Sequence, residues 1–517
     1  MPYAGPLLKA PLQLSDLLKI GLKNGPNDPA VTSMESVISW SDLDRASSWL
    51  AANYHALGLE PGDRVASLMP NRAALIVHYV ACFKAGFVLT PLNYRYTPPE
   101  INHALDVSSS KIILAHVERA NDIAASEAGS LPLGMIWYGG DESKKPSLEE
   151  LMKAEPEDTT LPALDPKMPA ATFFTSGSTG PAKGVTHTRG TFGWMFASAA
   201  QALEIEPKDV VLPGSSCAHI GGFTFSMAAL SAGAHLVVAR GFDHEEIGPL
   251  LRTTRPTLLS MLPTALLHLI REHDMTSADF SSLRLARSAG DKVSAELEKE
   301  FITLTGKTVS EGYGMTEFGL ATLNPPMGID KLGSIGLPSP GFVFSIRNDQ
   351  GQELPKDKEG RLWVRSPTQS IGYWNDEKAS AEVMRDGWFD TGDEMKVDKD
   401  GYMWFCGRQK QIIVHDGSNI SPQEVEDALL EHPAVELAGV VGVIDKSHGE
   451  NVRAYVEIKA KIKKPKTGEL IQFAKQRVGY KAPEEIILIE KMPLNPTGKV
   501  DRVALKKIAA GEHGHHI

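Results

Sequence analysis

The chain has 517 residues, with 53 Lys+Arg against 64 Asp+Glu and a formal net charge of −11. This length exceeds one compact core, so roughly two to four domains or subdomains are expected. Hydrophobic residues at 42% and charged residues at 23% are those of an ordinary globular protein, and the acidic balance argues against a nucleic-acid binder that works by charge neutralisation.

Residues 1–140 alternate helical patterns with short apolar runs. Ser41–Leu50 reads as the opening of a helix, Gly58–Asp63 as a turn into Arg64–Met69, and Ala73–Gly86 as a helix leading into Phe87–Thr90. That alternation predicts an α/β layered domain. Residues 141–169 turn charged and proline-bearing, a surface connection with one short helix over Leu148–Lys153. Ala171–Thr175 is strand-like, more α/β pattern follows to Leu323, and Gly333–Arg408 is rich in short β segments and Gly turns. Ser421-Pro-Gln-Glu424 predicts a capping box with Pro422 at the first helical position. Its helix carries Val425, Ala428 and Leu429 on one face and must stop before Pro433. Val452, Ala454, Val456 and Ile458 alternate with polar or amphipathic residues, the pattern of a half-buried strand. Residues 410–517 therefore read as a separate α+β domain.

Cys82, Cys217 and Cys406 lie far apart, with neither disulfide-framework nor zinc spacing, and are expected as buried thiols in a reducing compartment. No secretory signal is expected at the N-terminus. The longest apolar stretches, Ala74–Leu92 and Leu258–Ile270, are both interrupted before reaching ~20 clean apolar residues, so no transmembrane helix is expected. A cytoplasmic location is the base expectation.

The strongest local signal for chemistry is Thr175-Ser-Gly-Ser-Thr-Gly-Pro-Ala-Lys-Gly184, placed after a strand. Its hydroxyls, unhindered backbone N–H groups and one ammonium suit a polyphosphate. It is not a Walker P-loop: read from Gly177, the second required Gly is Ala182, and Gly184 stands where Ser or Thr would follow Lys183. On its own, such a segment also reads as a flexible linker.

This loop resembles the phosphate-binding loop of the adenylate-forming enzymes, which include acyl-CoA synthetases, firefly luciferase and the adenylation domains of peptide synthetases. Four further segments match in the family's order: Gly312-Tyr-Gly-Met-Thr-Glu317, Trp388-Phe-Asp-Thr-Gly-Asp393, Gly407-Arg-Gln-Lys410 and Asn495-Pro-Thr-Gly-Lys-Val-Asp-Arg502. The resemblance implies an α/β fold class: a large N-terminal domain over residues 1–409, with layered α/β subdomains and a β-rich subdomain, and a small mobile α+β C-terminal domain over 410–517. It implies ATP, Mg²⁺ and coenzyme A as reactants and cofactor. Thr175, Ser176, Gly177, Ser178, Thr179, Gly180 and Lys183 would hold the phosphates, Thr316 would meet the α-phosphate and Glu317 the Mg²⁺. Tyr313 would stack on adenine, beside Gly290. Asp393 and Arg408 would hold the ribose. Lys499 would bridge the substrate carboxylate and the α-phosphate, Lys410 would be the hinge, and Gly417 would line the thiol tunnel.

The same resemblance places an acid pocket at Trp194, His219, Ile220, Gly221, Gly222, Phe225 and Gly314. Leu212–Leu230 contains no Asp to hold an ammonium, which disfavours an α-amino acid, and Gly314 stands where acetyl-specific relatives place a plugging Trp. An open apolar slot with few polar handles follows, suited to a medium- or long-chain fatty acid or an aryl or alicyclic acid. The expected activity is that of an AMP-forming acyl-CoA synthetase. The alternatives are an adenylating enzyme that loads a carrier-protein thiol and a non-catalytic nucleotide-binding regulator. The residues leave the oligomeric state open; the resemblance adds a homodimer as one option, since relatives are often dimers. Lys461, Lys463, Lys464 and Lys466 form a basic run, read as a solvated loop, with coenzyme A phosphates as the other reading. The tail from Glu512 to Ile517 is expected to be disordered.

Overall fold

The computed structural model describes residues 3–8, 10–141, 145–175, 182–241, 244–289, 293, 295–325, 331–408, 411, 413–415, 418–445, 449–460, 462–495 and 498–511. Both long apolar stretches divide at their punctuation. A helix over Ala73–Ala85 closes on Gly86, whose φ of 79° lies in the left-handed region that glycine tolerates, and strand Val88–Pro91 follows. Leu258–Ile270 splits at Pro263 into strand Leu258–Met261 and helix Pro263–Glu272, because Pro fits the first helical turn but not a helix interior. No helix among the described residues is long and apolar enough to cross a membrane.

Two sheets form the body of the large domain. A seven-stranded sheet runs in the order Gly372–Tyr373, Lys183–Thr188, Pro169–Thr175, Val88–Pro91, Arg64–Leu68, Ile112–His116, Met135–Tyr138. A nine-stranded sheet runs from Leu337–Pro338 through Gly319–Leu323, Ser310–Met315, Leu285–Ala289, Leu258–Met261, Val210–Gly214, His235–Val237 and Pro29–Thr32 to Val37–Ser39. One apolar core joins them. It takes Val65 and Leu89 from the first sheet, Val31 and Leu236 from the second, and the helices Ala73–Ala85, Arg189–Ala202 and Ile220–Ser231. Its centre is aromatic: Tyr79, Phe83, Phe173, Phe192, Phe196 and Phe223 meet at ring separations of 5.0–6.4 Å, distances that favour edge and offset contacts.

The β-rich part is a six-stranded sheet built on Val343–Arg347, Gly360–Arg365, Trp388–Val397 and Met403–Arg408. Sheet membership then changes. Met403–Arg408 belongs to this sheet, whereas Ile413–His415 belongs to a separate five-stranded sheet with Ser418–Ile420, Val435–Asp445, Gly449–Ile458 and Glu485–Ile489. That small domain has its own core around Val425, Leu429, Val440, Val452 and Val456.

Two local expectations need correction. Helix Pro422–Leu430 starts after Ser421, but the capping box does not form: Ser421 Oγ is buried without a hydrogen-bond partner, and the Glu424 carboxylate is taken by Lys481 Nζ at 2.7 and 2.8 Å. Strand Gly449–Ile458 is not half-buried at its centre. Tyr455 is as fully enclosed as Val452, Ala454 and Val456, because helix Arg502–Ala509 covers that face through Leu505. The helix expected over Leu148–Lys153 spans Leu148–Leu151. All three cysteines are free, with Cys82 and Cys217 buried and Cys406 partly so.

Candidate active site

The site grows from the hairpin that carries the Ser/Thr/Gly segment. Strands Pro169–Thr175 and Lys183–Thr188 pair antiparallel with Thr175 opposite Lys183. Ser176, Gly177, Ser178, Thr179 and Gly180 lie outside the described residues, as do Gly290, Lys410 and Gly417. Lys183 is exposed and its ammonium stands 4.9 Å from the centre of the Tyr373 ring, within cation–π range. Tyr373 is there because Gly372–Tyr373 adds to the same hairpin, opposite Val185 and Thr186.

Through Tyr373 the hairpin reaches Glu317. The Tyr373 hydroxyl donates to Glu317 Oε1 at 3.0 Å. Thr316 and Glu317 occupy the tight turn between strands Ser310–Met315 and Gly319–Leu323, closed by Phe318 N–H donating to the Met315 carbonyl at 3.2 Å. Gly319 takes a φ of 78° in that turn, and an added Cβ would press within 2.9 Å of Met195 Sδ. The Thr316 carbonyl accepts from His187 Nε2 at 2.8 Å. Burial pushes that imidazole down to about 4, so it is neutral and Nε2 carries the proton. Burial raises the Glu317 carboxyl above its ordinary range, against the opposing pull of the Tyr373 hydrogen bond and the Arg408 charge. A dehydrated carboxylate held at a turn fits Mg²⁺, a hard ion commonly bound by one or two protein oxygens plus substrate phosphates. No cluster of three or more His, Cys, Asp or Glu suited to a metal occurs among the described residues.

Tyr313, Asp393 and Arg408 form one bonded set. Asp393 is fully buried on strand Trp388–Val397, directly opposite Arg408 on Met403–Arg408. Its Oδ2 accepts from the Tyr313 hydroxyl at 2.6 Å and its Oδ1 from Arg408 Nε at 2.7 Å. Burial raises the Asp393 carboxyl, and the Arg408 guanidinium counters it. The expected adenine-side and ribose-side residues are therefore in direct contact, a link that no local pattern signalled.

The C-terminal domain brings Lys499 to the same place. Its turn is held by the bridge between Leu494 and Val500 and by Asn495 N–H donating to the Lys499 carbonyl at 2.7 Å. Gly498 packs against Leu262 of the large domain, where an added Cβ would stand 3.4 Å from Leu262 Cδ1. The Lys499 charge acts on both sides: it favours ionisation of Asp393, and with burial and Arg95 it pushes the His219 imidazole down to about 4. His219 in turn lies 3.2 Å from Asn93 Nδ2.

The expected acid pocket gathers around helix Ile220–Ser231, which His219 precedes. Gly221 and Gly314 are exposed, Trp194 is half-buried, and Ile220, Gly222 and Phe225 are buried. At Gly222 a Cβ would meet the Ser216 carbonyl at 2.5 Å, and at Gly314 the Gly319 carbonyl at 2.4 Å, so the backbone there tolerates no side chain without moving. One polar side chain that the sequence reading did not name stands beside this group. Arg287 stands with its Cζ 6.0 Å from the Phe225 ring centre. Its signal was present, since it is a charged residue in the middle of the strand-like run Leu285-Ala-Arg-Ser-Ala289.

The chain belongs to the AMP-binding enzyme family: the family's model matches residues 20–374, and the model of the AMP-binding enzyme C-terminal domain matches residues 424–499. A feruloyl-CoA synthase of Amycolatopsis sp is 32% identical, covering 92% of this chain and 94% of that one. A long-chain-fatty-acid–CoA ligase of Bacillus subtilis is 30% identical, covering 100% and 97%. The crystal structure of ATP-bound MatB from Rhodopseudomonas palustris superposes with a TM-score of 0.87 at 27% identity, covering 96% of this chain and 98% of that one.

Proposed function

We infer that the protein is an AMP-forming acid–thiol ligase. A carboxylate oxygen attacks the α-phosphorus of ATP, pyrophosphate leaves, and the resulting acyl-adenylate carries a good leaving group. The sulfur of coenzyme A then attacks the acyl carbon, AMP departs and the thiol proton is released. Relatives named as CoA ligases cover nearly the whole chain, which supports the activity and the use of ATP and coenzyme A.

In the first step two anions must meet, so catalysis is largely positioning and charge neutralisation. We assign the bridging cation to Lys499, and the observation that supports this is its turn, whose Gly498 stands against Leu262 of the large domain, with the Lys499 charge acting on both His219 and Asp393. Lys183 would steady the terminal phosphates, with Tyr373 under its ammonium. Thr316 would face the α-phosphate, and Glu317 would hold the Mg²⁺. That ion would supply charge neutralisation on the phosphate oxygens. Tyr313 would flank adenine, while Asp393 would accept from the ribose hydroxyls with Arg408 donating beside it. We place the pivot of the small domain at Lys410, between the two sheets that Arg408 and Ile413 belong to. Rotation there would withdraw Lys499 and bring Gly417 toward the thiol path.

The test is pyrophosphate release from MgATP across a panel of aliphatic, aryl and alicyclic acids, followed by addition of coenzyme A. Acid-dependent release and thioester formation are expected; nucleotide binding without release would leave a non-catalytic binder instead. We propose a cytoplasmic location, supported by the unpaired cysteines, and a homodimer, which light scattering would check.

A further inference from the structure

The side chain of Arg287 is an unusual thing to bury. The residue is 7% exposed, and its Nε is enclosed without a hydrogen-bond partner. Among the described residues the guanidinium makes no hydrogen bond and no ion pair; its one contact of this kind is with the Phe225 ring. Burial lowers it only to about 10, so it remains cationic at neutral pH. An unpaired buried cation is costly to a fold, and side chains of this kind are almost always matched by an anion or a set of acceptors.

The strand geometry says where the partner must come from. Side chains two apart share a face, and Leu285 lies in the cluster that contains Phe225, Leu320 and Leu323. Arg287 therefore faces the same layer, toward helix Ile220–Ser231. The neighbouring strand makes room for it at Gly312, where an added Cβ would stand 3.2 Å from Arg287 Nη2. Tyr313 and Gly314 follow directly in sequence. The cation thus lies against Phe225 of the acid pocket's wall, on the face of the neighbouring strand that Gly312 leaves open.

We propose that Arg287 is a specificity residue of the acid pocket and that the substrate is a carboxylic acid bearing a second oxygen acceptor, phenolic or carboxylate, which the guanidinium binds. The inference rests on the ligase reading and narrows it. A plain alkyl tail laid against this group would leave its N–H donors unmet, whereas an oxygen would accept from the planar fork. Sites built to hydrogen-bond a substrate oxygen discriminate strongly against analogues that lack it.

Two matched pairs test this: cinnamate against 4-hydroxycinnamate, and octanoate against octanedioate, each read as kcat/KM for pyrophosphate release. The wild type is expected to favour the oxygen-bearing member of at least one pair by tenfold or more, and the favoured pair identifies the oxygen as phenolic or carboxylate. In Arg287→Leu that ratio should collapse toward one, mainly through a higher KM for the oxygen-bearing acid, and Arg287→Lys should keep part of it. The Arg287→Leu protein should melt no lower than the wild type, because the change removes an unpaired cation. Preference for the plain acids, an unchanged ratio in the variant, equal loss with every acid, or a melting temperature several degrees lower would each overturn the inference. Failure of the ligase reading looks different: no acid of the wider panel would release pyrophosphate from either protein, and the inference would fall with it.

Discussion

Lys499, on the turn between Leu494 and Val500, holds its ammonium near enough to the buried Asp393 carboxyl to favour the ionised form, although the two residues belong to different domains. Under the role proposed for Lys499, this is the pose of the first half-reaction.

If Lys499 neutralises the meeting of carboxylate and α-phosphate, Lys499→Ala should slow adenylation by more than ~10²-fold, about 2.7 kcal/mol of barrier. Thioester formation from supplied acyl-adenylate should be largely spared. Pyrophosphate release and coenzyme A consumption, measured separately, check the split; equal loss in both would contradict a role confined to the first step.

The same pose is held by charges at the domain boundary. Arg271 of the large domain pairs with Glu436 of the small one at 3.0 Å, and Lys459 pairs with Glu296. Glu436, Lys459 and Glu296 are half-buried, so these pairs are screened somewhat less than fully exposed ones, which contribute about 0–1 kcal/mol each. Arg271→Ala should therefore reduce adenylation only a few-fold, with less effect on thioester formation, and the difference from wild type should shrink as salt is raised. Steady-state rates of the two half-reactions at low and high ionic strength would show it.

Tyr313→Phe removes the 2.6 Å donor to Asp393 but keeps the ring. A buried carboxylate that loses one hydrogen bond costs roughly 1–3 kcal/mol, and the Asp393 carboxyl should rise further. We expect about a tenfold higher KM for ATP, with a smaller change in KM for the acid. An unchanged KM for ATP would separate this tyrosine from the nucleotide.

Much of this arrangement could be read from the chain before any coordinates. Helix Ala73–Ala85, the Pro263 break and the change of character after Arg408 follow from local pattern, because period, proline and glycine act within a few residues. The candidate site residues were proposed from segments with fixed neighbours. What local pattern cannot carry is a contact between distant strands: the Tyr313–Asp393 bond spans 80 positions, and Tyr373 reaches Glu317 only because a short strand is added to a hairpin far upstream. The Ser421 capping box failed for a similar reason, since Lys481 outcompetes the backbone for Glu424. Arg287 was visible as a charge in a strand, but its isolation was not.

Glu317 gives a pH dependence with a definite sign. Burial raises its carboxyl above the ordinary value of 4.5, and a proton there competes with Mg²⁺. Apparent Mg²⁺ affinity should weaken as pH falls through the raised value and recover above it. Tyr373→Phe removes a bond that favours the ionised form, so the weakening should begin at higher pH. Mg²⁺ titrations of pyrophosphate release at several pH values would reveal the displacement; coincident profiles would place Glu317 away from the metal.

Acid stability follows from the buried histidines. His78 accepts no charge readily: burial pushes its imidazole from 6.5 down to about 3, while Nδ1 lies 2.9 Å from the Tyr54 hydroxyl. His187 and His235 are held near about 4 for the same reason. Between the unfolded and folded values the unfolded chain binds the proton and the folded chain does not. Their contribution is therefore complete above the unfolded value and is lost as pH falls below it, at about 1.4 kcal/mol per pH unit for each histidine. The melting temperature should drop steadily from near pH 6.5 downward, before most carboxylates titrate. His78→Gln should lower stability at pH 7.5, where the packing is disturbed, yet give a shallower fall toward pH 5, because one proton-linked group is gone. Melting curves across that range decide it: parallel profiles for the two proteins would mean that His78 is not among the groups that drive acid unfolding.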